Sequence, residues 1–175
     1  AMDASGVRYA EIGYRSLKRD GFAGAYRYCS EALIDRLPAL ERTGIAVMLD
    51  AKELVGQEAL IARLFAPADR SRVELGRVAT KAADLASAVE QVARLHDLGY
   101  RTTLNLMALT TIADAERDGL LGAMASSAVD VVYVADSYGS MIPADISDIA
   151  DRYERLSSKP WGVHLHHNQE LAFAN

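Results

Sequence analysis

Three features of this sequence predict an α/β fold on a mostly parallel sheet: six short apolar runs, amphipathic helical patterns between them, and a near-constant spacing. Buried strands joined by crossover helices make parallel sheets. The spacing narrows the architecture further. Successive runs, taken at Ile45, Val73, Thr102, Val131 and Val163, lie 28 to 32 residues apart. A (β/α)8 TIM barrel of about 250 residues averages roughly 31 residues per unit. A doubly wound open sheet has units of similar length, but neither GxGxxG nor GxxxxGK(S/T) follows any strand.

The elements follow in order. The strands are VRYAEIGY (Val7 to Tyr14), IAVML (Ile45 to Leu49), VELGRVA (Val73 to Ala79), TTLNLM (Thr102 to Met107), VVYVA (Val131 to Ala135) and GVHLH (Gly162 to His166). The clearest helix is ADLASAVEQVARLHDLGY, where Leu85, Ala88, Val89, Val92 and Leu95 recur at helical spacing and Gly99 is the stop. In PADISDIADRYERL, Pro143 suits a first turn, and Ile146, Ile149, Tyr153 and Leu156 make one apolar face. AMDASG reads as the tail of a helix and NQELAFAN as the start of one. Six strands stand where a barrel needs eight. The expectation is therefore a single incomplete TIM-barrel domain over residues 1–175, units two to seven, with the first and last strands outside it.

Composition excludes several function classes. Half of the residues are apolar, enough for a real core. No apolar run approaches the roughly 18 residues of a membrane span, and no basic-then-apolar leader opens the chain. A single cysteine, Cys29, permits no internal disulfide and fits a reducing cytoplasm. It precedes a helix start at Ser30, has no histidine near it in sequence, and reads as inert. The net charge of −5 is spread along the chain, which attracts neither nucleic acid nor an anionic membrane.

The chemistry concentrates in WGVHLHHN. Alternate strand residues share a face, so His164 and His166 point together while Leu165 faces the helices. Barrel enzymes place their sites at the C-terminal ends of the strands, where these two lie. Two convergent neutral imidazoles begin a divalent-metal site and need a carboxylate and open positions to complete it. The alternative is a pair of core histidines satisfied by hydrogen bonds. His167 has the opposite parity and reads as supporting or structural, while Asn168 faces the site or caps the next helix.

Other strands carry polar groups in apolar surroundings. Glu11 needs a partner, with Arg15, Arg77 or a site histidine available, and a structural ion pair low in the barrel is the competing reading. Arg77 and Asn105 could contact a carboxylate substrate or neutralise neighbours. Asp136 and Ser137 follow VVYVA directly, and Asp136 is equally suited to orienting its loop through backbone amides. Asp50 and Lys52 could pair across the mouth.

HLHHN followed by LAFAN, with VADSYGSMIPADI one unit earlier and GVRYAEIGYRS near the start, resembles the DRE-TIM metallolyases, the hydroxymethylglutaryl-CoA lyase-like aldolases, and among them the 4-hydroxy-2-oxovalerate aldolase type of catalytic domain. The resemblance runs through all six strands. It implies a carbon–carbon lyase that cleaves a 4-hydroxy-2-oxo acid to pyruvate and an aldehyde. It further implies Mn²⁺ or Mg²⁺ on His164, His166 and an Asp of an Arg-Asp-Gly strand preceding Ala1, with the general base near that strand. Ser137 is implied on the substrate side, and Arg77, Asn105 and Glu11 are the other candidates for substrate contact. Arg19, Asp20 and Gly21 spell the same tripeptide, but about six residues beyond the strand end, so position argues against equivalence. The 175 residues alone are expected to lack activity. Two alternatives stand beside this reading: an acyl-CoA-dependent synthase of the same superfamily, and a binding or scaffold fragment without turnover. The implied partners are a small 2-oxo acid, a second copy in a homo-oligomer, or an aldehyde-consuming dehydrogenase.

Overall fold

The computed structural model describes residues 2–19 and 21–175. Six strands form one sheet: β1 (Tyr9–Tyr14), β2 (Gly44–Asp50), β3 (Val73–Thr80), β4 (Arg101–Leu106), β5 (Val131–Asp136) and β6 (Trp161–Leu165). Each pairs in parallel with its sequence neighbour, so spatial order equals chain order. The sheet curls as part of a (β/α)8 barrel, far enough for side chains of β1 and β3 to meet across β2. Among the described residues there are six strands, each within about two residues of its sequence-predicted bounds.

The strands' two faces have different chemistry. Ile45, Val47, Leu49, Val78, Leu104, Leu106, Val132 and Val134 point outward and join the helices in one apolar core. The alternate residues, among them Glu11, Arg77, Asn105, Tyr133 and His164, face the concave side. Cohesion therefore lies outside the barrel wall and chemistry inside it.

Helices cover the convex side. The two connections after β1 and β2 hold only one-turn helices, α1 (Glu31–Ile34) and α2 (Ile61–Leu64), supplemented by 3-10 turns. Ser30 caps α1, its hydroxyl accepting the Leu33 N–H. The long helices are α3 (Leu85–Asp97), α4 (Asp114–Ser126) and α5 (Pro143–Leu156). In α3, Leu85, Ala88, Gln91, Val92 and Leu95 are buried on one face, and Gly99 ends the segment at φ 91°. In α5, the Asp145 carboxylate accepts the Ile142 N–H at 3.0 Å, Pro143 occupies the first turn, and Ile149 and Tyr153 are buried.

Both chain ends bear on the helix expectations. Met2–Ser5 is a single 3-10 turn, secured by the Asp3 carboxylate, which accepts the amides of Glu41, Arg42 and Thr43. NQELAFAN forms isolated turns (Glu170 N–H to His167 O, Ala174 N–H to Leu171 O) rather than a helix.

One irregularity shapes the interior. The β1–β2 register shifts between Glu11 and Tyr14 at a bulge containing Gly13, whose φ is 150°. A Cβ at Gly13 would run into the carbonyl of Tyr26, so glycine is required there.

Candidate functional site at the strand C-termini

At the C-terminal ends of the strands, a cavity of about 250 Å³ opens on the concave side. Its polar wall is Asn105 from β4, Ser137 just beyond β5, His164 from β6 and His166 just beyond it. Met48, Ala79, Met107 and Ala135 supply the apolar wall, and Tyr14 stands at the rim.

The strand alternation brings the imidazoles of His164 and His166 together, ring centroids 5.2 Å apart and planes at 65°. His164 lies in register with Ala135 and is half-buried. Burial lowers the His164 pKa below its ordinary value, and the charges of Arg77 and His166 lower it further against an opposing pull from Glu11. These effects favour the neutral form of its ring. Asn105 is 3% exposed; its Oδ1 accepts the Thr103 hydroxyl at 3.3 Å. No described protein group takes its Nδ2 donor. The Ser137 Oγ accepts the Ala108 N–H at 2.9 Å, which leaves its own proton available to donate.

Neighbouring groups serve the frame. Asp136 is 1% exposed, and its two oxygens accept the amides of Ser140 (2.9 Å) and Met141 (3.1 Å), so it builds the loop after β5. Asn168 donates to the Tyr138 carbonyl at 3.0 Å and packs over Gly139, tying the segment after β6 to that same loop. His167 stacks edge-on against Phe173. Asp50 accepts the Lys52 backbone amide at 3.1 Å rather than pairing with its ammonium. Cys29 is buried, and burial raises its thiol pKa, which keeps it in the unreactive form.

Glu11 and Arg77 lie one layer deeper than the mouth. They pair with each other at 2.6 Å, and with Tyr133 and Thr103 they line a larger cavity of about 480 Å³ toward the strand N-termini. His164 lines both cavities. The structure therefore gathers Asn105, Ser137, His164 and His166 at the mouth, and sets Glu11 and Arg77 beneath them. Asp20 lies outside the described residues.

Tyr14 was absent from the sequence-level candidates. Counting by twos from Glu11 turns it outward; the bulge at Gly13 turns it to the rim. A glycine inside an apolar strand was the available signal.

As a metal centre the donor set is partial. Two imidazoles converge, but among the described residues no group of three or more His, Cys, Asp or Glu gathers, and Asp136 is taken up by amides. The residues present suit two positions of a divalent cation's sphere.

No family model matches the chain. Curated relatives from Geobacillus genomosp. 3 and Brevibacillus brevis, each named 4-hydroxy-2-oxovalerate aldolase, are 26% identical over 185 residues, covering 100% of this chain and 51% of each relative. A relative of the same name from Chloroflexus aurantiacus is 26% identical over 190 residues. The chain thus spans about half the length of the curated relatives it matches. The N-terminal domain of a candidate aldolase from Bacteroides vulgatus superposes with a TM-score of 0.86 at 22% identity, covering 99% of this chain and 58% of that one. The carboxyl transferase domain of Rhizobium etli pyruvate carboxylase gives 0.62 at 11% identity over 76% of this chain. The resemblance to the DRE-TIM aldolase type of catalytic domain is borne out along the whole chain, and the solved structures share its fold.

Proposed function

We propose that these residues form the metal-binding half of an aldolase-type carbon–carbon lyase acting on 4-hydroxy-2-oxo acids to give pyruvate and an aldehyde. The observation that carries the reading is the convergence of His164 and His166 with Asn105 and Ser137 at the C-terminal mouth of a parallel barrel wall. The names of the curated relatives point the same way.

In this reading His164 and His166 hold a Mn²⁺ or Mg²⁺ ion. Such an ion, when bound, polarises a carbonyl oxygen as a Lewis acid. Burial favours the unprotonated His164 ring that such binding needs. The Asn105 amide and the Ser137 hydroxyl donate to substrate oxygens, and Met48 and Met107 exclude water from the carbon chain. In this reading the remaining ligand and the general base are supplied by groups other than the described residues gathered at this mouth.

The test is pyruvate release by the protein at its full natural length, supplied with a panel of 4-hydroxy-2-oxo acids and Mn²⁺ or Mg²⁺, before and after chelation. Release that chelation abolishes supports the proposal; release indifferent to chelation refutes the metal role. A second reading, a binding module without turnover, draws on the absence of a carboxylate beside the imidazoles among the described residues. Retention of a 2-oxo acid without pyruvate release selects it.

A further inference from the structure

The turn after β4 carries a backbone conformation that its sequence does not favour. Ala108, buried and two residues past the strand end, lies at φ 57° and ψ 35°. In this left-handed region a Cβ crowds the following carbonyl, and residues other than glycine, asparagine and aspartate seldom adopt it. An alanine stays there only where its surroundings over-determine it. Here they do. The Met107 N–H donates to the Thr80 carbonyl of β3 at 2.8 Å, one step past the end of β4. The Ala108 carbonyl accepts both the Thr111 amide at 3.0 Å and the Thr111 hydroxyl at 2.8 Å. Leu109, next in the chain, is buried in the apolar core. The Ala108 N–H donates to the Ser137 hydroxyl at 2.9 Å.

That last bond decides what Ser137 offers the mouth. A hydroxyl has one proton and two lone pairs. The Ala108 N–H occupies a lone pair, and no group among the described residues accepts the proton, so Ser137 meets the cavity as a donor. The loop that carries Ser137 is fixed independently: the Asp136 carboxylate accepts the amides of Ser140 and Met141, and the Asp136 carbonyl accepts the Gly139 amide at 3.1 Å. Both loops belong to β4 and β5, inner strands paired on either side. A right-handed or extended residue 108 would send the chain from β4 in another direction, losing the Thr111 clasp and the Leu109 anchor that hold this N–H in place.

The geometry points to Ala108 as a positioning residue, whose left-handed backbone fixes the Ser137 hydroxyl as a hydrogen-bond donor toward a carboxylate or carbonyl oxygen at the mouth. The inference rests on the proposed lyase reading for its ligand and goes beyond it in naming what orders that donor. Backbone shape, not the methyl group, is the requirement, so variants sort by the conformations they allow. Ala108→Gly enters the left-handed region freely and retains wild-type behaviour. Ala108→Val is a β-branched outlier there and loses it. Thr111→Val, at an exposed position, removes only the hydroxyl that clasps the turn, and decides the matter should Ala108→Val not fold.

The first readout needs no ligand. In the protein at its full natural length, exchange of the residue 108 amide followed by NMR is slow in wild type and in Ala108→Gly. It is about 10-fold or more faster in Ala108→Val, Thr111→Val and Ser137→Ala, while the amides of β4 are unchanged. The second is calorimetric titration with pyruvate in the presence of Mg²⁺. Ser137→Ala and Ala108→Val each weaken binding by about 10-fold or more, the scale of one hydrogen bond to a charged group. Thr111→Val weakens it less, and neither residue 108 nor residue 111 has a further effect once Ser137 is alanine. Losses that add in full to that of Ser137→Ala overturn the inference, because general damage does not depend on Ser137. Wild-type exchange at residue 108 in Thr111→Val and Ala108→Val overturns it as well. Wild-type protein that shows the slow amide but binds no pyruvate refutes the lyase reading, and the exchange rates of the variants then decide the positioning role by themselves.

Discussion

Arg15 is the largest fully buried side chain, 1% exposed, and its replacement by Met is the sharpest probe of how the first βα connection is held. The guanidinium donates to the Leu64 carbonyl at 2.9 Å and to the Cys29 carbonyl at 3.2 Å, pairs with Glu31 at 2.7 Å, and stacks 4.5 Å above the Phe65 ring. It thus unites the segments after β1 and β2, which lack long helices of their own. Arg15→Met keeps an apolar stem of similar length but strands two carbonyls. Each lost bond to a charged donor costs about 1.5–3 kcal/mol. Glu31 keeps the Ser71 hydroxyl at 2.8 Å and partial solvent access, so it adds little. Allowing about 1.5 kcal/mol for the apolar contacts Met makes in that site, the net loss is about 3 kcal/mol. That corresponds to a folding equilibrium lowered by roughly 150-fold. For a chain of this size it is a fall in Tm of about 6–12 °C. Arg15→Lys falls between wild type and Met, because an ammonium reaches only part of this set. Thermal and urea unfolding followed by circular dichroism measure both variants. A Tm for Arg15→Met within about 2 °C of wild type would refute the argument that these contacts hold the connection.

Further outcomes follow from the site and the ends of the chain. His164→Ala and His166→Ala each remove most Mn²⁺ binding while His167→Ala retains it, as read by Mn²⁺ titration; full occupancy in His164→Ala contradicts the ligand assignment. Because the His164 pKa is lowered on folding, the unfolded chain binds the extra proton, so stability is full above the unfolded value of about 6.5 and declines as pH falls toward the lower folded value. His164→Asn flattens that part of a stability-against-pH curve, and an unchanged slope would assign the effect elsewhere. Asp136→Ala releases two loop amides and destabilises by about 2–4 kcal/mol in urea unfolding, where a loss below about 1 kcal/mol would deny its role in the loop. Asp3→Ala speeds hydrogen exchange at the Arg42 and Thr43 amides and leaves exchange in β4 unchanged.

What was legible in the sequence was whatever follows from local period. Strand alternation placed His164 and His166 on one face, and proline with an amphipathic stripe marked α5 from its first residue to its last. The connections after β1 and β2 were not readable, because they are made of single turns held by Arg15 and Glu53 rather than by a helical stripe. Glu11 had three partners within reason; only the curl of the sheet, which brings β3 over β2 toward β1, selects Arg77. Asn168 bonds a carbonyl 30 residues away in another loop, a contact with no sequence pattern behind it. Tyr14 was hidden by one inserted backbone unit at Gly13.

The strict agreement between strand order in space and along the chain has a kinetic meaning during synthesis. Each new strand docks beside the one made just before it, so no strand has to wait for a distant partner. With strand starts about 30 residues apart, a ribosome adding about 5–20 residues per second releases one unit every 1.5–6 s. Helix formation and collapse take microseconds, so each unit has ample time to settle before the next emerges. These six strands therefore add to the nascent wall in chain order, and β6 is the last of the six to dock.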